Sequence, residues 1–146
     1  MIENAKISPS MTTIHKIAMA LGVHPVEFFE IEKHKRWIVT RKGERERLQF
    51  NGLESALEYL VKNGRDSKNE IFLSYLGPTQ KSFDEHVTHG GYNFGYVLSG
   101  SVEVELGNEK IRLNEGDTIF FEAIIPHLWR SAENRESNSL WVITRE

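Results

Sequence analysis

Six histidines and no cysteine bound the chemistry open to this 146-residue chain. Without thiols there is no disulfide framework and no thiolate nucleophile, so a metal site would have to use His, Asp, Glu or Asn. His15, His24 and His34 fall in the first 35 residues, among helix and linker patterns, and receive no role. His86, His89 and His127 lie further on, where strand patterns dominate. His86 and His89 are three residues apart, so a regular strand points them to opposite faces, and only a β-bulge would turn both inward.

The elements that must position these side chains are short strands. Trp37-Ile38-Val39-Thr40, Ile71-Phe72-Leu73-Ser74-Tyr75, Tyr96-Val97-Leu98, Val102 to Leu106 and Leu140 to Thr144 are β-branched or aromatic runs. Turn signals separate them: Asn63-Gly64, Gly77-Pro78, Ser99-Gly100, Gly107-Asn108 and Glu115-Gly116-Asp117. Many short strands at close spacing predict an antiparallel sandwich or barrel, a mainly β fold. Leu53 to Val61 fits either a short helix or a strand.

The first thirty residues differ in period. Met11, Ile14, Ile17, Ala18 and Leu21 make one apolar helix face, with Ser10 as N-cap and Gly22 at the C-terminal turn. Pro25 suits the first turn of a second helix carrying Val26, Phe28 and Phe29. Two helices of this length cannot fold alone. Residues 30–36 look like a linker, which gives an expected division into 1–31 and 32–146. Charge follows the division: residues 1–50 hold nine Lys/Arg against six Asp/Glu, and residues 51–146 hold nine against fifteen. A basic head on an acidic body suggests different partners for each, although the run from Lys33 to Arg47 also suits a solvated linker and edge strand.

No apolar run approaches the roughly 18 residues of a membrane helix, and the N-terminus lacks the pattern of a signal peptide. The expectation is a cytoplasmic protein without a membrane partner.

Ile2-Glu3-Asn4, Pro9-Ser10, Ile14, Lys16-Ile17-Ala18, Ala20-Leu21-Gly22-Val23 and Phe28-Phe29 together resemble the C-terminal half of an XRE-type, phage-repressor-like helix-turn-helix domain. Ala5 departs from that family's usual Gly. The resemblance implies that Met1 lies inside the recognition helix, so that the chain as given lacks most of its base-reading surface. Specific DNA binding is then expected only of a full-length chain.

From about residue 70 to 144 the chain resembles the cupin family, a double-stranded β-helix barrel of jelly-roll type. Gly100, in "NFGYVLSGSVEVELG", closes the first cupin motif. Counting back sets Asn93 at the usual Glu, His89 at the second His, Val87 at the first His and Lys81 at the opening Gly. Gly116 opens the second motif, "GDTIFFEAIIPHLWRS", and His127 falls on its His, with Glu122, Ile124 and Ser131 in place of Pro, Gly and Asn. Cupin enzymes hold a divalent metal on three His and one Glu. Here two His remain, Val87 cannot ligate and Asn93 is neutral. No cofactor is therefore expected, with a divalent metal on His86, His89 and His127 as the weaker alternative.

The resemblance implies a ligand pocket of Val87, His89, Asn93, Val97, His127 and Trp129, although Trp129 and Trp141 suit a core as well. Asn93 is the hardest to explain as packing, since a buried amide needs partners. The expected function is the small-molecule sensor of a transcriptional regulator, with an unknown effector and a homodimeric assembly. The alternative is a metal-dependent cupin enzyme, oxygenase- or isomerase-like, with Asp84, Glu85 or Glu122 as its carboxylate. A third reading is a cupin that only dimerises, its cavity packed shut.

Overall fold

A computed structural model describes residues 36–145, apart from 51, 53, 66, 133 and 134, together with Lys16 and Ala20. The chain divides into two compact units, Met1–Ile38 and Val39–Glu146. Lys16 and Ala20 are helical. The rest of the expected helical remnant, and the linker up to residue 35, lie outside the described residues.

Among its described residues the second unit has nine strands: β1 Glu46–Phe50, β2 Ser55–Tyr59, β3 Asn69–Leu76, β4 Tyr92–Ser99, β5 Ser101–Leu106, β6 Glu109–Asn114, β7 Thr118–Glu122, β8 His127–Ser131 and β9 Ser137–Thr144. They form a six-stranded sheet, β1-β2-β3-β9-β4-β7, and a three-stranded sheet, β6-β5-β8, with every pairing antiparallel. The mainly β, antiparallel architecture expected from the sequence is the observed one.

Alternation sets the interior. Phe72, Ser74 and Leu76 of β3, Ser139, Trp141 and Ile143 of β9, and Asn93, Gly95 and Val97 of β4 all face inward. Val102 and Val104 of β5 and Leu113 of β6 meet them from the smaller sheet. At the centre Trp129 and Trp141 stack with ring centroids 3.9 Å apart, both at 0% exposure. Their indole N–H groups donate to Ser74 Oγ at 3.0 Å and Ser139 Oγ at 2.8 Å, so the stack buries no unpaired donor. Gly95 makes room for it: a Cβ there would lie 2.7 Å from the Trp141 ring. Gly100, at φ +76°, makes the one-residue step from β4 to β5; a Cβ would meet Glu136 O at 2.5 Å.

Two local expectations change. Trp37 to Thr40 forms no strand, and Trp37, Ile38 and Val39 stand exposed. β-propensity needs a partner strand to be realised; among the described residues this stretch has one tether, Lys62 N donating to Thr40 Oγ1. The ambiguous stretch around residues 53–61 resolves as β2, paired with β1 on one side and β3 on the other.

Candidate functional site

The end of the barrel interior beside the Trp stack is polar. His127 opens β8 and is 1% exposed; Asn93 on β4 is 0% exposed. Asn93 Nδ2 donates to His127 Nε2 at 3.1 Å, and His89 lies edge-on to His127 with ring centroids 5.3 Å apart. Phe121 of β7 packs its ring 5.0 Å from His127 on another side, a contact no motif pointed to, although its inward place in "TIFFE" follows from alternation.

Backbone pairing brings the trio together. The segment before β4 is laced to the loop before β8: Val87 exchanges two hydrogen bonds with His127, and His89 N donates to Ala123 O. Residues directly opposite on antiparallel chains share a face, so Val87 stands beside His127 with an inert side chain. His86 goes the other way. Its Nε2 lies 3.0 Å from Glu105 Oε1, and Arg130 reaches the other Glu105 oxygen at 3.4 Å. His86 therefore stays outside the cluster, in a stretch that forms a bridge at Val87 rather than a strand. The hydrogen bond from His86, followed by that from Arg130, holds the Glu105 carboxyl below its ordinary range.

The other two expected pocket residues are packed. Val97 is 1% exposed and stands four residues along β4 from Asn93, roughly 13 Å away at strand rise. Trp129, two residues beyond His127, belongs to the central stack and floors the polar end rather than lining an open cavity.

The carbonyls around the trio fix its chemistry. His127 Nδ1 stands 2.7 Å from Ile125 O, and His89 Nδ1 stands 2.7 Å from Gly90 O. A carbonyl only accepts, so both rings carry a proton on Nδ1. Burial pushes the His127 imidazole below its ordinary value of 6.5, with the nearby His89 adding in the same direction, while the bond to Ile125 opposes it. A neutral His127 requires the amide orientation seen, with Nδ2 toward Nε2. Among the described residues, Asn93 Oδ1 is then left buried with no hydrogen-bond partner. The free polar atom this leaves at the site, Asn93 Oδ1, is an acceptor.

As a metal centre the cluster offers two imidazoles and one amide. Among the described residues no group of three or more His, Asp or Glu could hold an ion, so Asp84, Glu85 and Glu122 do not complete the set. His127 Nε2 already accepts a bond from Asn93. A neutral, incomplete donor set of this kind does not fit a tightly held divalent cation.

Comparison with known proteins agrees with the fold. The HTH-type transcriptional regulator PuuR of Escherichia coli (strain K12) is 28% identical over 130 residues, covering 86% of this chain and 68% of that protein. The cupin domain of an XRE family transcriptional regulator from Enterobacter cloacae superposes with a TM-score of 0.55 at 21% identity, over 64% of this chain and 98% of that one. Hydroxypropylphosphonic acid epoxidase from S. wedmorenis gives a TM-score of 0.60 at 18% identity, over 92% of this chain and 74% of that one. Residues 72–143 match the cupin domain family, and the barrel carrying His89, Asn93 and His127 is a cupin barrel.

Proposed function

We propose that this barrel is the small-molecule sensor of a transcriptional regulator, and that its effector binds at His89, Asn93 and His127 by donating hydrogen bonds. The observation that carries the reading is the orphaned Asn93 Oδ1. A buried acceptor without a donor costs about 1–3 kcal/mol, a cost relieved when a ligand brings an N–H or O–H. Regulator relatives support the regulatory context. In this reading residues 1–31 are the end of a helix-turn-helix head, residues 32–146 are linker and sensor, and the protein acts in the cytoplasm. The full-length protein binds DNA, working as a homodimer because such heads read paired half-sites. Effector binding would alter DNA affinity through a coupling free energy, by favouring one dimer geometry over another.

The metal-dependent enzyme reading lacks comparable support. It needs a carboxylate beside His89 and His127, and the residue at that place is Asn93.

A thermal-shift and native mass spectrometry screen of small metabolites against the parent and Asn93→Leu tests the proposal. Compounds that raise the parent's Tm are expected to carry N–H or O–H donors, and to lose their effect in Asn93→Leu. Stabilisation that survives unchanged in that variant would move the ligand elsewhere.

A further inference from the structure

Residues 51–146 carry nine Lys/Arg against fifteen Asp/Glu, yet one row across the outer face of the smaller sheet is basic. Register sets Glu103 of β5 directly between Arg112 of β6 and Arg130 of β8, and a bridge sets Lys81 beyond Arg130. Directly opposed residues share a face, so three cations stand in line with one carboxylate. Glu103, Arg112 and Arg130 line a cleft of about 230 Å³ together with Thr79, Ser131 and Ala132. Opposite charges on neighbouring strands ordinarily meet. Here they stand apart: among the described residues neither Glu103 nor Arg112 forms an ion pair. Arg130 reaches instead for Glu105, at 3.4 Å, whose other oxygen lies 3.0 Å from His86. Thr79 adds a second irregularity. It is third in a turn closed by Gln80 N donating to Gly77 O, with Pro78 second, and its φ is +63°. That position belongs to glycine, a β-branched residue there is an outlier, and such strain gathers where ligands are held. The Thr79 hydroxyl donates to Pro78 O at 2.6 Å, so what it has left to offer is acceptor capacity.

We propose that this cleft is a second small-molecule site, on the outside of the barrel, for a zwitterion of amino-acid size. Arg112 and Arg130 take its carboxylate, and Glu103 and the Thr79 hydroxyl take its ammonium. A guanidinium fork matches a carboxylate with two parallel hydrogen bonds. A simple anion would meet Glu103 as a like charge, and a simple cation would meet two guanidinium groups. Only a ligand carrying both charges uses every polar side chain that the cleft leaves unmatched. Volume sets the size, because the cleft falls below the roughly 300–1,000 Å³ of sites for drug-sized ligands. The site is independent of the one at His89, Asn93 and His127, which lies inside the barrel.

Amide ¹H–¹⁵N spectra of the full chain, titrated with each neutral L-amino acid at millimolar concentration, test the site. At least one amino acid is expected to shift the signals of Thr79, Glu103 and Arg112. The same molecule without its amino group, or with its carboxylate blocked as the methyl ester, should bind about tenfold more weakly or worse. This comparison uses the parent chain alone, so it survives any variant that fails to fold. Arg112→Gln should weaken the amino acid by about tenfold, and so should Glu103→Gln. Glu103→Gln should at the same time tighten the amino-free acid, because a like charge is gone. Thr79→Gly suits the turn and should weaken binding without lowering Tm. No shift at the cleft with any neutral amino acid would overturn the site. An amino-free acid that binds the parent as well as the amino acid does would reduce it to adventitious anion binding and overturn the zwitterion.

Discussion

The two ends of the barrel interior follow one rule of alternation and reach opposite states. At the packed end Trp129 and Trp141 bury two indole donors, and Ser74 and Ser139 satisfy both. At the polar end Asn93 satisfies His127 but leaves its own Oδ1 without a partner. Asn93, Trp129 and Trp141 are all fully buried, so burial does not explain the difference. A fold that supplies serines to pair two indoles has the means to pair one amide oxygen. Where it does not, the missing donor is expected from outside the chain.

The contrast can be broken first at the packed end. Trp129→Ala removes the ring stacked on Trp141 and contacted edge-on by Phe83, and should cost about 3–5 kcal/mol in urea unfolding. Ser74→Ala leaves the stack but orphans the Trp129 N–H, recreating at this end the defect present at the other; about 1–3 kcal/mol is expected. Acid titration gives a smaller effect. Because the folded His127 lies below its ordinary 6.5, the unfolded chain binds the proton first, and stability falls as pH drops from about 6.5 toward the folded value. One proton sets the ceiling at about 1.36 kcal/mol per pH unit. The slope should flatten in His127→Gln. Losses from Glu58 and Glu105, both held below 4.5 by Arg45 and His86 respectively, begin only at more acidic pH. Smallest is Asn93→Leu, within about 1 kcal/mol of the parent, because losing the bond to His127 and losing the orphaned oxygen offset each other. A cost of 3 kcal/mol or more would make Asn93 structural.

These side chains also mark how far the sequence could be read. The strand runs, the turn residues and the places of His89, Asn93 and His127 were legible, because alternation and motif spacing are local properties. His86 and His89 do face different ways, but the stretch that carries them forms a bridge at Val87 rather than the strand expected from their spacing. Packing was not legible. Val97 and Trp129 have the polarity of pocket walls, and only the meeting of β8 with β9 shows that Trp129 is taken up by Trp141. Trp37 to Thr40 misled for a related reason: a strand-like run becomes a strand only beside a partner, and pairing is a property of the whole sheet. The tautomers of both histidines were likewise beyond the sequence, since they depend on the carbonyls of Ile125 and Gly90 and how the loops aim them.

Those tautomers are the most direct test of the central claim, that the polar end presents acceptors and awaits a donor. Long-range ¹H–¹⁵N correlation spectra of the imidazoles near neutral pH, assigned with His89→Gln and His127→Gln, report which nitrogen carries the proton in each ring. His127 should be neutral and protonated at Nδ1, with an unprotonated Nε2 resonance, and Nδ1 of His89 should carry a proton. An Nε2–H tautomer at His127 would turn the Asn93 amide around, satisfy Oδ1 within the chain and leave the site with no donor to await.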